Sequence, residues 1–592
     1  MSIVNKIKPL VAKTLKDLYG QDFNESNITI NTTKPEFEGD YTVVLFTFGK
    51  QLKKSPEQLG NEIGGHLLKS YPEFFKLYNV IKGFLNLTID DSYWINFLQT
   101  NFSNDTFGFI AADGRNVMVE YSSPNTNKPL HLGHLRNNFL GWSVAQILKA
   151  NGYTVIKSCV VNDRGIHICK SMIAWQLFAD NATPSSTSIK GDHFVGEYYV
   201  RFNTEYKRQS EELITKGMSK EEAEKEAPIM KATQKMLLDW EAGKTEVIEL
   251  WKKMNGWVYE GFDVTYKRIG SDFNIIYYES NTYLLGKKSV EEGLEKGAFI
   301  KKDDSSVWAD LTAEGLDEKL VLRKDGTSVY ITQDLGLAQQ KYEQFHYDQS
   351  IYVIGDEQNY HMKVLKLMLQ KLGKSYANGI YHLSYGMVEL PSGRMKSREG
   401  TVVDADELID EMISIAAKHS EESGKVKDFE SGELKELYET IGLGALKFFL
   451  LRVDPKKRIV FNPEESIDFH GFTGPFIQYT HARIKSILRK QKAIGSRESG
   501  AGSLLKLEKA LILLLEQYPT IIEQACEEHN PSVIAIYVFN LAQSFNTFYT
   551  EHSVMNAESE EKKQLRLQII EMTAGIISSA MGLLGIKVPE RM

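Results

Sequence analysis

The segment NVMVEYSSPNTNKPLHLGHLRNNFLGWSVAQILKANGYTVIKSCVV, from Asn116 to Val161, leaves the chain few folds to choose from. Its apolar start, VMVEY, has the length and composition of a buried strand. Pro124 and Pro129 bar helix and central strand from the loop that follows, because each lacks an N–H and fixes φ. From Leu135 to Leu148 apolar residues recur at helical spacing, Gly152 stands where a left-handed C-cap is favoured, and YTVIKSCVV returns to strand. Neighbouring strands joined by a helix pair in parallel, through a right-handed crossover. The segment therefore predicts a parallel, doubly wound, Rossmann-like sheet, and ligands of such sheets bind outside the carboxyl ends of the strands.

At 592 residues and 42% hydrophobic, the chain is too long for one growing core and apolar enough for several. Residues 1–110 read as a small mixed α+β domain. It has a helix from Ile3 to Tyr19, alternation in SNITINTT and YTVVLFTFG, a helix from about Ser55, and a further extended run, NVIKGFLNLTI. Residues 111–461 read as the α/β domain, which resumes with FNIIYYES, SVYITQDLG and SIYVIGDEQ, taken as strand segments, after a charge-rich helical insertion over about 170–270. In that insertion Ser219 and Glu222 have capping-box spacing and predict one long helix bearing Met230, Met236, Leu237 and Trp240. Beyond about 405 the pattern is helical, and 462–592 is expected to be an all-helical domain.

A net charge of −8 argues against a protein that coats nucleic acid with its whole surface, but leaves room for a local basic path. The three cysteines, Cys159, Cys169 and Cys526, form no CxxC pair, which fits a reducing cytoplasm and excludes a thiolate metal site. The N-terminal helix is interrupted by lysines, unlike a secretory leader, and no apolar run is long enough for a bilayer, so no membrane partner is expected.

His131 and His134 lie three apart at the start of the predicted helix, and Gly133 between them admits a close approach to the backbone. A helix N-terminus offers unpaired N–H groups and partial positive charge to a phosphate, and Lys128 adds a cation just before the turn. A second cationic loop, SGRMKSREGTVV, groups Arg394, Lys396 and Arg398 around Ser397. The sequence has no Walker A pattern and no GxSxG elbow, and no GxGxxG fingerprint opens this unit. Polar groups unusual for a buried sheet stand near the remaining strand ends: Glu120, Asn125, Glu279, Tyr330, Asp334 and Gln358, with His361 beyond. Carboxylates converging in one crevice need a cation to offset their repulsion, and a guanidinium has the donor-rich fork to supply one.

PNTNKPLHLGHLRNNFLG followed after about 260 residues by GRMKSREGTVV resembles the two signature regions of a class I aminoacyl-tRNA synthetase. The lysine before HLGH, the YYES and YITQDLG segments, GPFIQYTHARIKSILRK, LAQSFNTFYTEHSV and the terminal LLGIKVPERM are similar to arginyl-tRNA synthetases in particular. The resemblance implies activation of L-arginine with ATP to arginyl-adenylate, then transfer to the 3′ end of arginine tRNA. Magnesium is expected with the ATP, with no protein ligand assigned. It implies Lys128, His131 and His134 as catalytic groups, and Gly133, Arg394, Lys396, Ser397 and Arg398 as ATP contacts. Glu120, Asn125, Glu279, Tyr330, Asp334 and Gln358 match the arginine pocket. The C-terminal module is expected to bind the anticodon through Tyr479, Arg483, Lys485 and Arg489, and the N-terminal domain to touch the tRNA through Phe84 and Asn86. A monomer is expected. HLGH replaces the class pattern HIGH, and Ser397 stands where KMSKS has its second lysine, which shifts that role toward Lys128. A catalytically inactive, synthetase-like tRNA-binding protein is the alternative these motifs leave.

Overall fold

The structure is a computed structural model, and it describes residues 2–34, 36–389, 391, 403–422, 428–490 and 503–592. Helix α1 (Ile3–Tyr19) starts on the Ser2 side chain, which accepts from Val4 N, and ends at Gly20 with φ 65°. Strands β1 (Ile30–Thr32), β2 (Tyr41–Val44), β3 (Phe75–Ile81) and β4 (Phe84–Ile89) make an antiparallel sheet in the order β1-β2-β4-β3. Helices α2 (Phe46–Leu52), α3 (Pro56–Ser70) and α4 (Asp91–Asn101) complete this region.

Two expectations change here. YTVVLFTFG does not stay extended, because Leu45 and Phe48, both buried, and Leu52 lie at helical spacing and draw the second half into α2. NVIKGFLNLTI is not one run but part of a hairpin: Lys82 (φ 49°) and Gly83 (φ 84°) both take positive φ, the signature of a two-residue type I′ turn.

Strands β5 (Asn116–Glu120), β6 (Thr154–Val161), β7 (Ile275–Tyr278), β11 (Gln349–Gly355) and β12 (Ile380–Tyr385) form an all-parallel sheet in the order β12-β11-β5-β6-β7. Val117, Met118 and Val119 of central β5 have no exposed surface. Connections leave β5 and β11 toward opposite edges of the sheet, which opens a crevice above β5. Helix α5 (Leu132–Ala150) is the first crossover.

The insertion between β6 and β7 holds α6 (Ile166–Phe178), α7 (Pro184–Thr187), α8 (Gly191–Thr215), α9 (Lys220–Glu226), α10 (Pro228–Glu241) and α11 (Thr245–Ile269). The Ser219–Glu222 capping box is present, but the single long helix expected after it is two. Pro228 forces Ala227 out of the helical region (ψ 123°) and starts α10 afresh.

After β7 come the short α12 (Glu279–Thr282), α13 (Gly286–Glu295) and a small antiparallel sheet of β8 (Ile300–Lys301), β9 (Val307–Ala309) and β10 (Lys319–Leu322). SVYITQDLG, expected as strand, begins helix α14 (Tyr330–Phe345). Its β-branched residues suggested a strand, but the buried positions Ile331, Leu335, Ala338 and Lys341 repeat at helical spacing. Tyr330 and Asp334 thus sit at a helix start rather than a strand end. Helix α15 (Asn359–Lys371) follows β11.

The remainder comprises β13 (Val388–Glu389) paired with β14 (Ile459–Val460), then α16 (Ala405–Glu422), α17 (Ser431–Leu451), α18 (Pro463–Ser466) and α19 (Gly474–Leu488). Helices α20 (Lys506–Glu516), α21 (Tyr518–Glu527), α22 (Pro531–Glu551) and α23 (Glu560–Leu583) finish the chain. These helices cover α5: Ser143 Oγ donates to Leu583 O at 2.8 Å and Asn151 Nδ2 to Ile522 O at 3.2 Å. The N-terminal sheet also docks on them, with Glu516 accepting from Ile3 N and Tyr41 OH and Lys509 paired with Asp40 at 2.9 Å.

Candidate active site

The crevice over β5 is a cleft of about 1320 Å³ lined by Glu120, Asn125, Lys128, His131, Gly133, His134, Glu279, Tyr330, Asp334 and Gln358. Ten residues expected from scattered segments are thereby brought to one place. Arg394, Lys396, Ser397 and Arg398 lie outside the described residues. The strand-like stem that follows them does not: Leu132 N donates to Val403 O and Ala405 N to Leu130 O, pairing His131 with Asp404 across an antiparallel bridge.

The histidine turn works differently from a bare helix N-terminus. His131 is the N-cap of α5; its Nδ1 accepts from Gly133 N at 3.1 Å, while His134 Nδ1 accepts from His131 N at 3.1 Å. Leu132 N, His134 N and Leu135 N also have backbone partners. The expectation of unpaired amides is therefore corrected: the imidazoles take the N–H groups of His131 and Gly133, and backbone carbonyls take the other three. Because each Nδ1 is an acceptor, each ring carries its proton on Nε2. Burial, with Lys128 nearby, pushes the His131 imidazolium down to about 3, and burial with His131 and Lys128 beside it holds His134 well below the usual histidine range. Two neutral rings with centroids 3.9 Å apart thus present Nε2–H donors, joined by Lys128, which has no acidic partner among the described residues and whose ammonium is pushed down by burial.

Two of the three carboxylates have a partner and the third has none among the described residues. Glu120 is ion-paired to Lys341, fully buried on α14 under the rings of Tyr352 (4.8 Å) and Tyr277 (5.6 Å). Asp334 Oδ2 lies 2.6 Å from His361 Nε2. Glu279, the first residue of α12, has no ion-pair or hydrogen-bond partner among the described residues. Burial pushes its carboxyl up to about 7; Arg164 opposes the shift, and Asp163 and Asp334 add to it. Asn125, Tyr330 and Gln358 are exposed at the rim.

Arg164 and Lys341 were not singled out from the sequence, and both line the cleft. Arg164 was legible, since it follows strand β6 as Glu120 ends β5. Lys341 carried no signal, because a buried lysine inside a helix looks like any solvated one.

Only one group among the described residues brings three acidic or imidazole ligand atoms together: Asp192, His193 and Asp406. Its centre belongs to the Lys190 ammonium, 3.0 Å from Asp192 and 2.6 Å from Asp406. The charge demand there is met by a side chain, and no metal is needed.

The residues expected at the RNA fare unevenly. Asn86 is buried, accepting from Thr42 Oγ1 (2.6 Å) and donating to Asn79 Oδ1 (2.8 Å), so it braces the sheet and is not presented to a partner, contrary to expectation. Phe84 is half-buried, edge-on to Phe46. On α19, Arg483 lies over the Tyr479 ring at 4.9 Å and donates to Asn546, Lys485 is 3.3 Å from Glu590, and Arg489 donates to Glu590 O.

A parallel α/β sheet whose first crossover helix starts on a histidine pair, with an inserted helical region and a terminal helical bundle, defines a class I synthetase architecture. Family models agree in chain order: the arginyl tRNA synthetase N-terminal domain over residues 5–89, the catalytic domain of tRNA synthetases class I (R) over 98–462, and the DALR anticodon binding domain over 477–592. The arginine–tRNA ligase of Bacteroides thetaiotaomicron is 52% identical, and that of Flavobacterium psychrophilum 50% identical, each alignment covering 100% of both chains. The arginyl-tRNA synthetase of Thermus thermophilus has the same fold, with a TM-score of 0.80 over 99% of this chain and 100% of that one at 24% identity. The Plasmodium falciparum enzyme matches at 0.79 over 100% and 99%, with 18% identity. The chain belongs to the arginyl-tRNA synthetase family.

Proposed function

We infer that the protein is an arginine–tRNA ligase. It activates L-arginine with ATP and transfers the arginyl group to the 3′ end of arginine tRNA. The observation that carries the reading is one cleft holding both halves of the chemistry: neutral histidine donors with a free lysine on one side, and carboxylates suited to a guanidinium and an ammonium on the other.

In the first step a carboxylate oxygen of arginine attacks the α-phosphorus of ATP, and the bond to pyrophosphate breaks. The nucleophile is already ionised, so no general base is required. Negative charge grows on the phosphoryl oxygens, where the Nε2–H groups of His131 and His134 and the Lys128 ammonium are placed to donate. Donors aimed at such charge contribute roughly 2.7–4 kcal/mol each. In the second step a ribose hydroxyl of the terminal adenosine attacks the arginyl carbonyl carbon, the bond from that carbon to the phosphate oxygen breaks, and AMP leaves with its electron pair while the hydroxyl proton passes to the departing phosphate. Glu279 and Asp334 hold the cationic groups of arginine, with Asn125, Tyr330 and Gln358 closing the rim and Gly133 giving the nucleotide access to the backbone. Arg394, Lys396, Ser397 and Arg398 complete the ATP contacts, and ATP enters with its magnesium.

The division of labour follows residues 1–110, 111–461 and 462–592, with Tyr479, Arg483, Lys485 and Arg489 on the tRNA side and Phe84 at the N-terminal contact. No helix among the described residues is long and apolar enough to cross a membrane. The working form is a cytoplasmic monomer. Incubation with MgATP, mixed tRNA and each labelled amino acid tests the reading: arginine alone should enter acid-precipitable tRNA, and absence of charging by folded protein would favour a binding-only role.

A further inference from the structure

Two of the cleft carboxylates already have cations, and the two cations differ in one respect. Lys341 is fully buried beside Glu120 and lies among aromatic rings. Its side chain has no exposed surface and is held between that carboxylate and the rings. His361 opposite Asp334 is only partly buried, at 29% exposure against 41% for the aspartate side chain, and lines the open cleft. An imidazolium can neutralise itself by giving up a proton near neutral pH.

We propose that His361 is a positioning residue for substrate capture: it holds Asp334 while the cleft is empty and yields it, together with its proton, when a guanidinium or ammonium group arrives. Substrate binding then exchanges one cation on Asp334 for another, and the proton passes to bulk water. The charge balances: an imidazolium, a carboxylate and an incoming cation become a neutral imidazole, a carboxylate–cation pair and a released proton. Without the exchange, two cations would meet at one carboxylate. The inference rests on the reading that Asp334 receives a cationic group of arginine.

The charged surroundings of His361 support the assignment. Asp334 reaches it from α14, and the Asp334 hydrogen bond is the largest influence raising its pKa, against the effect of burial. Glu279 and Lys287 face the same cleft from the segment after β7, and Arg323 and Asp325 from the loop after β10. Asp356 and Glu357 precede it in the chain, and Tyr352 of β11 lines the cleft beneath. None of these others is bonded to it among the described residues. A substrate cation on Asp334 would remove the main influence that raises the His361 pKa, so the two equilibria are linked.

The test is a histidine NMR titration of the full-length protein labelled at its 13 histidines, with the His361 signal identified by its loss in His361→Gln and in His361→Asn. In free enzyme the His361 midpoint should stand above the ordinary histidine value, and saturating L-arginine should lower it by about one unit, a tenfold loss of proton affinity. A midpoint that arginine leaves unchanged or raises overturns the proposal. Kinetically, His361→Gln should alter the KM for arginine and flatten part of its pH dependence, with the KM for ATP unmoved; an unaltered arginine pH profile counts against it. Asp334→Asn separates the two layers. If that variant charges tRNA with arginine as well as wild type does, the reading of Asp334 fails. If it loses arginine use while the wild-type His361 midpoint ignores arginine, only the role of His361 fails.

Discussion

His131 and His134 cap the same helix reciprocally, each Nδ1 taking a backbone N–H of the turn, so both rings are locked with Nε2–H as the free donor. Structure and chemistry are thereby assigned to different atoms of one side chain, and substitutions can separate them. Asparagine places a polar atom near Nδ1 but none near Nε2; glutamine reaches the Nε2 position and abandons the cap. His131→Asn should keep the thermal midpoint within a few degrees and lower the rate of adenylate formation by about 10²–10³-fold. His131→Gln should retain more of the rate but lose about 0.5–2 kcal/mol of stability with the cap. Pre-steady-state ATP consumption and thermal denaturation of the pair measure both; identical profiles for the two variants would refute the division.

Glu279 carries a carboxyl pushed up to about 7 by burial, with Asp163 and Asp334 adding to the shift. Below that value it is protonated and offers no charge to a substrate cation. The KM for arginine should therefore fall as pH rises from 6 to 8, and Glu279→Gln should give a high KM with that limb removed. Stability runs the other way. A carboxyl raised in the folded state binds its proton more tightly there than in the unfolded chain, so the empty enzyme loses stability as pH climbs from the unfolded value through about 7. Glu279→Gln should raise the thermal midpoint of the empty enzyme at pH 8 relative to wild type, and much less at pH 5.

Lys341 and Glu120 form the buried pair beneath the cleft. Removing one partner leaves an uncompensated charge in a water-poor site, a change that costs about 3–5 kcal/mol. Lys341→Met should therefore destabilise the protein strongly, and Lys341→Met with Glu120→Gln should recover much of the loss. Arginine use should not recover with it, because Glu120 also lines the cleft. Equilibrium unfolding of the three variants together with arginine KM decides the matter; full recovery of activity in the double variant would make the pair purely structural.

The β5–α5–β6 unit was legible from Asn116 to Val161 because strand, prolines, helical spacing and glycine all agree locally. Elsewhere tertiary context outweighs the local pattern. The start of α14 is rich in β-branched residues, yet Thr332 Oγ1 bonds Val321 O and the buried face follows a helical period. The site residues could be named because they follow strands or open helices, but their charge partners could not. Lys341 and His361 come from α14 and α15, and their meeting with Glu120 and Asp334 depends on how those helices cross the sheet. Asn86 is the converse case: expected at the tRNA, it is buried once neighbouring strands supply Thr42 and Asn79.

The chain's last residues are held carbonyl by carbonyl. Ser143 of α5 donates to Leu583 O, Lys447 of α17 to Gly585 O at 2.6 Å, Gln478 of α19 to Lys587 O at 2.8 Å and His481 of α19 to Pro589 O at 3.0 Å. Lys447 is buried enough that its ammonium is pushed down to about 8, and its donation to Gly585 O ties the tail to the core beside Phe139 of α5. The segment thus straps the helix proposed to meet tRNA to the helix that carries the histidine pair. Removing Lys587–Met592 would take away the Pro589 acceptor of His481 and one of the two acceptors of Gln478 Nε2, which keeps Thr440 O at 3.0 Å, and each buried donor left unpaired costs about 1–3 kcal/mol. The truncated enzyme should lose thermal stability by several degrees, and its KM for tRNA should rise more than its KM for ATP. Lys447→Met, which keeps the length but not the donor, should reproduce the stability loss while leaving the Glu590 contacts of Lys485 and Arg489 in place. If truncation weakened ATP and tRNA use equally, the tail would be a general stabiliser, with no special link to the RNA-facing helix.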